Sequence, residues 1–334
     1  MEPFTLIRPR TLDAAQTRAL GAPADRVYKA GGIDLLDLLK EGLAQPDELI
    51  DLRSLGDAHG QAMRALAASD GGWSVGALNT LAAISTSALP QAFAALKEAA
   101  GSAATPSIRN SATLGGNLLQ RPHCWYFRHR DLHCLKKGGE RCLADGGENK
   151  FHAILGGGPC HIVHPSTLAV ALVALGAQVE IVGAEGPRQI AIEELFALPR
   201  VSPMTENTLG EGEVIRGVTL PAAASAQRSV YEVAKEKQSF DWPLAEVAVA
   251  VSVEGGTIRT ARVALGHVAP TPWRAVQVEE ALTGQSPSAE LFARVAALAT
   301  QGARSLGDNA YKIPLVQGLV RAALHRVFDV PVPA

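Results

Sequence analysis

The sequence predicts an α+β protein, in which segments typical of strands and segments typical of amphipathic helices share the chain. Residues 25–52 read as a strand, a Gly-Gly turn, a helix and a second strand. Residues 247–265 have the alternation of a two-stranded hairpin, and helical spacing of apolar residues follows to the end. With 334 residues, 47% of them apolar, the chain can form two or three compact domains.

Composition argues against several classes of partner. The formal net charge is −2, so no basic field is available to attract nucleic acid or an anionic membrane. No apolar run is long and free enough of charge to span a bilayer. The amino terminus lacks a basic region followed by an apolar core, which predicts a cytoplasmic protein without an export signal of its own.

The first informative segment runs from Asp25 to Leu52. Val27 to Ala30 is predicted as a strand, Gly31-Gly32 as a turn, and a helix follows until Gly42. Paired glycines leave backbone N–H groups bare at a helix start, where an anion such as a phosphate can bind. A plain strand-to-helix turn explains two glycines equally well. The pattern is not GxGxxG, so it indicates no Rossmann nicotinamide site.

The next segments carry the chain to a second glycine pair. Residues 71–87 predict a strand, a small-residue turn at Gly76-Ala77 and a helix, and residues 90–104 predict an Ala-rich helix. Residues 108–117 then give a turn with the sequence ATLGGN. We expect this turn, like the first, to follow a strand. Two such turns can hold one pyrophosphate from two sides.

All four cysteines of the chain lie between residues 124 and 160, with the spacing C-x9-C-x7-C-x17-C. Thiols gathered in one loop of a non-secreted chain favour metal binding over disulfides. Four thiolates suit both zinc and an iron–sulfur cluster. The loop has none of the short CxxC motifs usual in zinc sites, but the spacing alone leaves both metals open. The aromatic residues Trp125, Tyr126 and Phe127 are predicted to form the loop's own small core.

The last domain begins near Tyr231. Valines at alternate positions from 247 to 253 predict a half-buried strand, and a Gly-Gly turn leads to a second strand that ends near Leu265. Apolar residues at helical spacing in 291–298 and 315–327 predict two helices that cover this antiparallel sheet.

Four segments, AGGIDLL, IRNSATLGGNL, HPSTLAVALVAL and LGHVAPTPWRA, resemble signatures of one family in the same order. These are the FAD-binding subunits of the molybdenum hydroxylases, the group of xanthine dehydrogenase, aldehyde oxidoreductase and carbon monoxide dehydrogenase. The resemblance implies a FAD-binding domain of the vanillyl-alcohol-oxidase-like (PCMH) type over 1–222, with subdomains 1–60 and 61–222. A C-terminal domain like that of the CO dehydrogenase flavoprotein follows over 223–334.

The resemblance also implies the FAD contacts. Ile215 is expected to pack on the isoalloxazine, and Lys235 to place an ammonium near N1, where the reduced ring is negative. Thr167 stands where family members often have Asp, so this chain departs from the family at that contact. The implied cofactor-binding residues are Lys29, Ala30, Gly31, Gly32, Ile33, Asp34, Leu35, Ala77, Thr113, Gly115, Gly116, Asn117, Thr167, Ile215 and Lys235.

Residues 121–163 form an insertion that most of the family lacks. It resembles the loop of periplasmic-type aldehyde oxidoreductases and 4-hydroxybenzoyl-CoA reductases, whose flavin subunits carry an additional 4Fe-4S cluster. This resemblance favours the cluster over zinc and implies four ligands: Cys124, Cys134, Cys142 and Cys160. It also allows a periplasmic location, with export on a partner's twin-arginine signal.

The implied function is electron transfer within a complex. A molybdenum-cofactor large subunit oxidises an aldehyde or N-heterocycle, and a small subunit with two 2Fe-2S clusters relays electrons to this chain's FAD. An external acceptor then takes them. The sequence has no nucleophile elbow or HExxH helix, so we assign it no catalytic residue of its own. The alternatives are a stand-alone flavin oxidase of the vanillyl-alcohol-oxidase fold and a non-enzymatic, zinc-stabilised interaction protein.

Overall fold

A computed structural model describes residues 1–69, 71–223, 227–237 and 240–332. Its strands are β1 (Thr5–Ile7), β2 (Arg26–Lys29), β3 (Glu48–Asp51), β4 (Leu66–Ser69), β5 (Gly72–Gly76), β6 (Gln178–Gly183), β7 (Gly186–Ala191), β8 (Val214–Leu220), β9 (Arg228–Ala234), β10 (Ala245–Glu254), β11 (Thr257–Gly266) and β12 (Trp273–Arg274). Its α-helices are α1 (Leu12–Ala19), α2 (Ile33–Glu41), α3 (Ala58–Ala62), α4 (Leu81–Ser85), α5 (Ala94–Ser102), α6 (Pro106–Ser111), α7 (Leu114–Leu118), α8 (Trp125–Arg128), α9 (Thr167–Ala174), α10 (Val276–Leu282), α11 (Ala289–Ala296) and α12 (Lys312–Phe328).

The first sheet is small and parallel, with strand order β1-β3-β2. The predicted strand, turn, helix and strand of residues 25–52 are confirmed as β2, α2 and β3. Helix α2 ends at Gly42, which has φ 72° and donates its N–H to the carbonyls of Leu38 and Leu39. β1 and α1 were not predicted.

The second sheet has five strands in the order β4-β5-β8-β6-β7, and all its pairs are antiparallel. Helix α9 (TLAVALVA) has no polar face, and each of its residues is buried. A helix that is apolar all round belongs inside a protein. It shares the main core with this sheet and with α5.

The C-terminal sheet has the order β12-β11-β10-β9 and is antiparallel. The prediction that β10 is half-buried is wrong, because both its faces are buried: the valines pack on α11 and α12, while Ala248 and Ala250 join the core around α9. Alternation of Val with Ala marks a strand covered on both sides. The two predicted helices are α11 and α12, and a third, α10, was not predicted.

The second glycine turn differs from its prediction. The preceding segment is helix α6, with Thr105 as its N-cap and Pro106 in its first turn, and not a strand. Gly115 and Gly116 then lie inside the short helix α7. Among the described residues, no helix has both the length and the apolar character that a bilayer span requires.

Candidate cofactor site

One cavity of about 770 Å³ lies at the junction of α2, α7, β8 and the segment after β9. This volume falls in the range of sites for sizeable cofactors, roughly 300–1,000 Å³. All fifteen residues predicted to bind the cofactor line it, from Lys29 in the first sheet to Lys235 after β9. The fold therefore brings six separate segments of the chain to one space.

The first glycine turn supplies the bare helix start that the sequence predicts. Gly32 is the N-cap of α2, has φ 82° and brings no side chain to cap the helix. A Cβ on Gly31 would lie 2.1 Å from the carbonyl oxygen of Ser111. Only glycine allows this close approach to the segment that leads into the second turn. The N–H groups of the first turn of α2, which have no intrahelical partners, are left at the cavity wall.

The second glycine turn lines the cavity, and its backbone N–H groups have hydrogen-bond partners within the chain. The N–H of Leu114 donates to Asn79, that of Gly115 donates to Ala77 and that of Gly116 donates to the Thr113 hydroxyl. The Asn117 amide oxygen accepts from the Ser166 hydroxyl at 2.8 Å. These backbone donors bond within the fold, and the hypothesis that the two turns hold one pyrophosphate from two sides stays a prediction.

Asp34 lines the cavity, but the loop 121–163 holds its carboxylate. Asp34 Oδ1 accepts from the Arg128 guanidinium at 2.6 Å, and Oδ2 accepts from the N–H of Arg121 at 2.9 Å. Arg128 also bonds Glu41 at 3.2 Å, in the last turn of α2. The loop is thus fastened to both ends of the helix that faces the cavity. The sequence gives no signal for this pairing across 94 residues.

Behind Thr167 lies a buried carboxylate that the sequence did not reveal. The Thr167 hydroxyl donates to Glu246 at 2.8 Å, the Tyr231 hydroxyl donates to the same oxygen, and His267 Nδ1 lies 3.0 Å from the other. Burial acts to raise the pKa of Glu246, but these three partners outweigh it and lower that pKa. Because the Thr167 hydroxyl donates its hydrogen to Glu246, this hydroxyl can only accept a hydrogen bond from the cavity side.

Three further predicted residues, and one that the sequence did not single out, also line the cavity. Ile215 is a buried residue of β8 whose surface reaches the cavity. The Lys235 ammonium donates to the carbonyl of Ser102 at 3.0 Å. Burial lowers the pKa of Lys29, whose ammonium lies 3.5 Å from Asp51. Trp242, which the sequence did not single out, lies at the rim with its ring 3.9 Å from that of His123.

The four cysteines surround a second, very small pocket of about 10 Å³. Apolar side chains complete its wall, including Phe127, Leu143 and Ile162. Of the three aromatic residues predicted to form the loop's own core, Tyr126 and Phe127 line this pocket, and Trp125 packs edge-on against Tyr126 and Phe151. No disulfide links the thiols.

The environment of this pocket shifts the pKa values of its thiols in opposite directions, upward for Cys124 and Cys160 and downward for Cys142. Burial raises the pKa of Cys124 to about 11, whereas a hydrogen bond from Cys160 lowers the pKa of Cys142. The Lys136 ammonium, paired with Glu206 at 2.6 Å, borders the pocket. Within the described part of the chain, no three His, Cys, Asp or Glu side chains are close enough to hold one metal ion. This finding applies to iron as well as to zinc, so the choice between them rests on the resemblance of the loop.

Comparison with known proteins agrees with this geometry. Residues 2–223 match the family model for the FAD binding domain in molybdopterin dehydrogenase, and residues 229–327 match that for the CO dehydrogenase flavoprotein C-terminal domain. The aldehyde oxidoreductase FAD-binding subunit PaoB of Escherichia coli (strain K12) is 34% identical over 334 residues, which covers 97% of this chain and 98% of that protein.

Solved structures show the same fold. Carbon monoxide dehydrogenase from Hydrogenophaga pseudoflava, in a form that lacks the Mo-pyranopterin moiety of the molybdenum cofactor, has a TM-score of 0.76 at 26% identity, and the match covers 99% of each chain. Quinoline 2-oxidoreductase from Pseudomonas putida 86 has a TM-score of 0.73 at 23% identity, and the match covers 98% of each chain. The predicted fold class and family are confirmed. The chain belongs to the FAD-binding subunits of the molybdenum hydroxylases.

Proposed function

We propose that this chain is the flavin subunit of a molybdenum-containing aldehyde oxidoreductase, with FAD in the large cavity and a 4Fe-4S cluster on Cys124, Cys134, Cys142 and Cys160. In this proposal a partner subunit with two 2Fe-2S clusters delivers electrons, and an external acceptor removes them. The molybdenum cofactor lies on a third, larger subunit. The observation that carries the proposal is the convergence of fifteen predicted residues on one cavity beside a pocket of four thiols.

The cavity fits FAD by the chemistry of its wall. The uncapped first turn of α2 offers N–H donors and the positive end of a helix dipole to a diphosphate. Ile215 offers apolar surface to a ring system, and Thr167 offers an acceptor to a ring or ribityl donor. Bound FAD supplies the exchange of one or two electrons. The chain's own residues bind it, orient it and keep water away from it.

Four thiols are a donor set that suits both a single ion and an iron–sulfur cluster, and the resemblance of loop 121–163 favours the cluster. All four cysteines of the chain border it, and the nearby Lys136 ammonium offsets the negative charge of thiolates. Cys124 and His152 lie 3.2 Å apart, which places a ring nitrogen beside one sulfur. Hydrogen bonds of this kind to sulfur tune the potential of clusters.

The aldehyde class of substrate rests on similarity. The relative from Escherichia coli is named as a subunit of an aldehyde oxidoreductase and matches over nearly the full length of both chains. Other matched relatives are named as medium chains or subunits of carbon monoxide dehydrogenase and nicotine 6-hydroxylase. Neither a stand-alone flavin oxidase nor a zinc-stabilised interaction protein gains support from these comparisons.

The decisive experiment is cofactor stoichiometry on the full chain, co-expressed with its partner subunits and purified without air. We expect one FAD, and four iron and four sulfide in this chain beyond those of the small subunit. Reduction by an aldehyde should bleach the flavin absorbance. One zinc without extra iron would refute the cluster, and a preparation that neither contains nor takes up FAD would refute the flavin assignment.

A further inference from the structure

Asp34 places a negative charge at the start of α2. It is the second residue of the nine-residue helix, and it lines the cavity beside the bare N–H groups of the first turn. A carboxylate at this position stabilises the helix dipole. The same charge opposes a second anion at the helix start, because neighbouring negative charges repel appreciably at the effective dielectric of a partly buried site.

The cysteine-bearing loop neutralises this charge. The Arg128 guanidinium bonds Asp34 at 2.6 Å, and the side chains of both residues are largely shielded, at 9% and 17% exposure. The N–H of Arg121 occupies the other oxygen of Asp34. Arg128 is itself oriented by the carbonyl of Pro122 at 2.8 Å and by the face of Phe127. The guanidinium is therefore held in place from the loop side and aimed at α2.

We propose that Arg128 is a positioning residue for the flavin site: it cancels the charge of Asp34, so that the first turn of α2 can receive the diphosphate of FAD. The loop thereby serves the flavin cavity in addition to holding the thiols. Asp34, which the sequence assigned to cofactor contact, acts as the anchor of the loop. The inference rests on the FAD site proposed above and is independent of which metal the thiols bind.

A purely mechanical role for Arg128 is the competing explanation, since the same guanidinium reaches Glu41 and so spans the whole of α2. The two explanations differ in one respect. If Arg128 acts through charge, removal of the charge of Asp34 must restore what the loss of Arg128 takes away. If Arg128 acts only as a brace, removal of Asp34's carboxylate takes away a further contact and restores nothing.

The test uses the full chain, co-purified with its partner subunits, freed of flavin and titrated with FAD. We expect Arg128→Met to weaken FAD binding about 10-fold. Asp34→Asn in the same chain should restore binding to within about 3-fold of the unchanged protein, and Arg128→Lys, which keeps the charge, should lose less than Arg128→Met. Arg130→Met is the matched control, because Arg130 belongs to the same loop and is 74% exposed.

The outcomes separate the inference from the proposed function. Unchanged affinity in Arg128→Met, or failure of Asp34→Asn to restore it, would overturn the inference while the flavin assignment stands. Absence of FAD binding by the unchanged protein would refute the flavin assignment itself. Thermal unfolding of each variant, measured without FAD, shows whether Arg128→Met has lost its fold, and Arg128→Lys then carries the comparison.

Discussion

The flavin cavity is shaped by close contacts of backbone segments, whereas the thiol pocket is formed by side chains. At the cavity, Gly31 and Gly115 approach neighbouring segments so closely that a Cβ would meet Ser111 and Ala77 at 2.1 and 3.2 Å. At the thiol pocket, side chains form the wall, and buried charged groups tie its loop to the rest of the chain. A site shaped by backbone exists before its ligand arrives, whereas a site made of thiols depends on the metal group for part of its stability.

The largest effect is expected at Gly31, where the backbone lies against the backbone of Ser111. Gly31→Ala should remove FAD from the purified protein and lower the free energy of unfolding by about 3 kcal/mol, because Ser111 cannot move away without shifting α6 and α7. Flavin per chain and thermal unfolding measure it. Gly56→Ala is the control, since a Cβ there has no neighbour within 4 Å. Full FAD content in Gly31→Ala would show that the two turns can separate.

At the thiol pocket, loss of one ligand should remove the metal group. If the thiols hold the proposed cluster, Cys160→Ser is expected to remove most of its iron and sulfide, because Cys160 is buried at the pocket and the loop offers no spare thiol. Iron and sulfide assays on the anaerobic protein measure this. Leu132→Ser, an exposed change in the same loop, should leave both unchanged. Equal iron in the two variants would contradict the ligand assignment.

The buried charges of the loop give the next effect. Lys136→Met should lower the free energy of unfolding by about 1.5–3 kcal/mol, since it leaves Glu206 with only Arg121 as a charged partner. Denaturant unfolding measures the difference. The control is Lys150→Met, which breaks an exposed pair with Glu236 and should cost less than about 1 kcal/mol. Equal losses would mean that burial of the Lys136 pair adds nothing.

Lys312, which bonds the carbonyl of Phe151 in loop 121–163, should make the stability of the chain depend on pH. Burial lowers the pKa of Lys312 to about 7, while its Nζ donates to the carbonyls of Phe151 and His267. Between pH 7 and about 10 the unfolded chain holds a proton that the folded chain has lost, so this group makes stability rise with pH, by up to about 1.4 kcal/mol per pH unit. The neutral amine still has two hydrogens for the two carbonyls.

Lys312→Met should remove that rise. Unfolding free energies of the unchanged chain and the variant, compared at several values between pH 7 and 10, isolate the contribution of Lys312. If the difference between the two proteins stays constant over this range, the ammonium keeps its proton in the folded chain.

The smallest effect concerns a single side chain of the cavity. Thr167→Val should weaken FAD binding about 2- to 10-fold, because one acceptor is lost while the shape of the residue is kept. Thr167→Ser, which keeps the hydroxyl, should bind nearly as well as the unchanged protein. FAD titration measures both. Equal affinities for the Val and Ser variants would show that the hydroxyl serves only Glu246.

Much of the flavin site could be predicted from the sequence. The turn at Gly31-Gly32, the helix that follows and the ATLGGN segment are local patterns, and neighbouring residues decide local patterns. The clustering of four cysteines within 37 of 334 positions likewise needs no structure to be recognised. The segment before ATLGGN is a helix and not the predicted strand, because Thr105-Pro106 is a helix start.

The tertiary structure alone decided which groups face one another across long separations. Asp34 and Arg128 are 94 residues apart, and Thr167 and Glu246 are 79 apart, so no spacing rule links them. Tertiary packing also decided the burial of β10 on both faces. Alanine occurs on exposed and on buried strand faces, so the sequence does not show that α9 covers the alanine face of β10. The sequence by itself determined the family, the turns and the thiols. Tertiary packing determined which residues pair across the fold, because the free energy of a buried contact depends on both of the residues that form it.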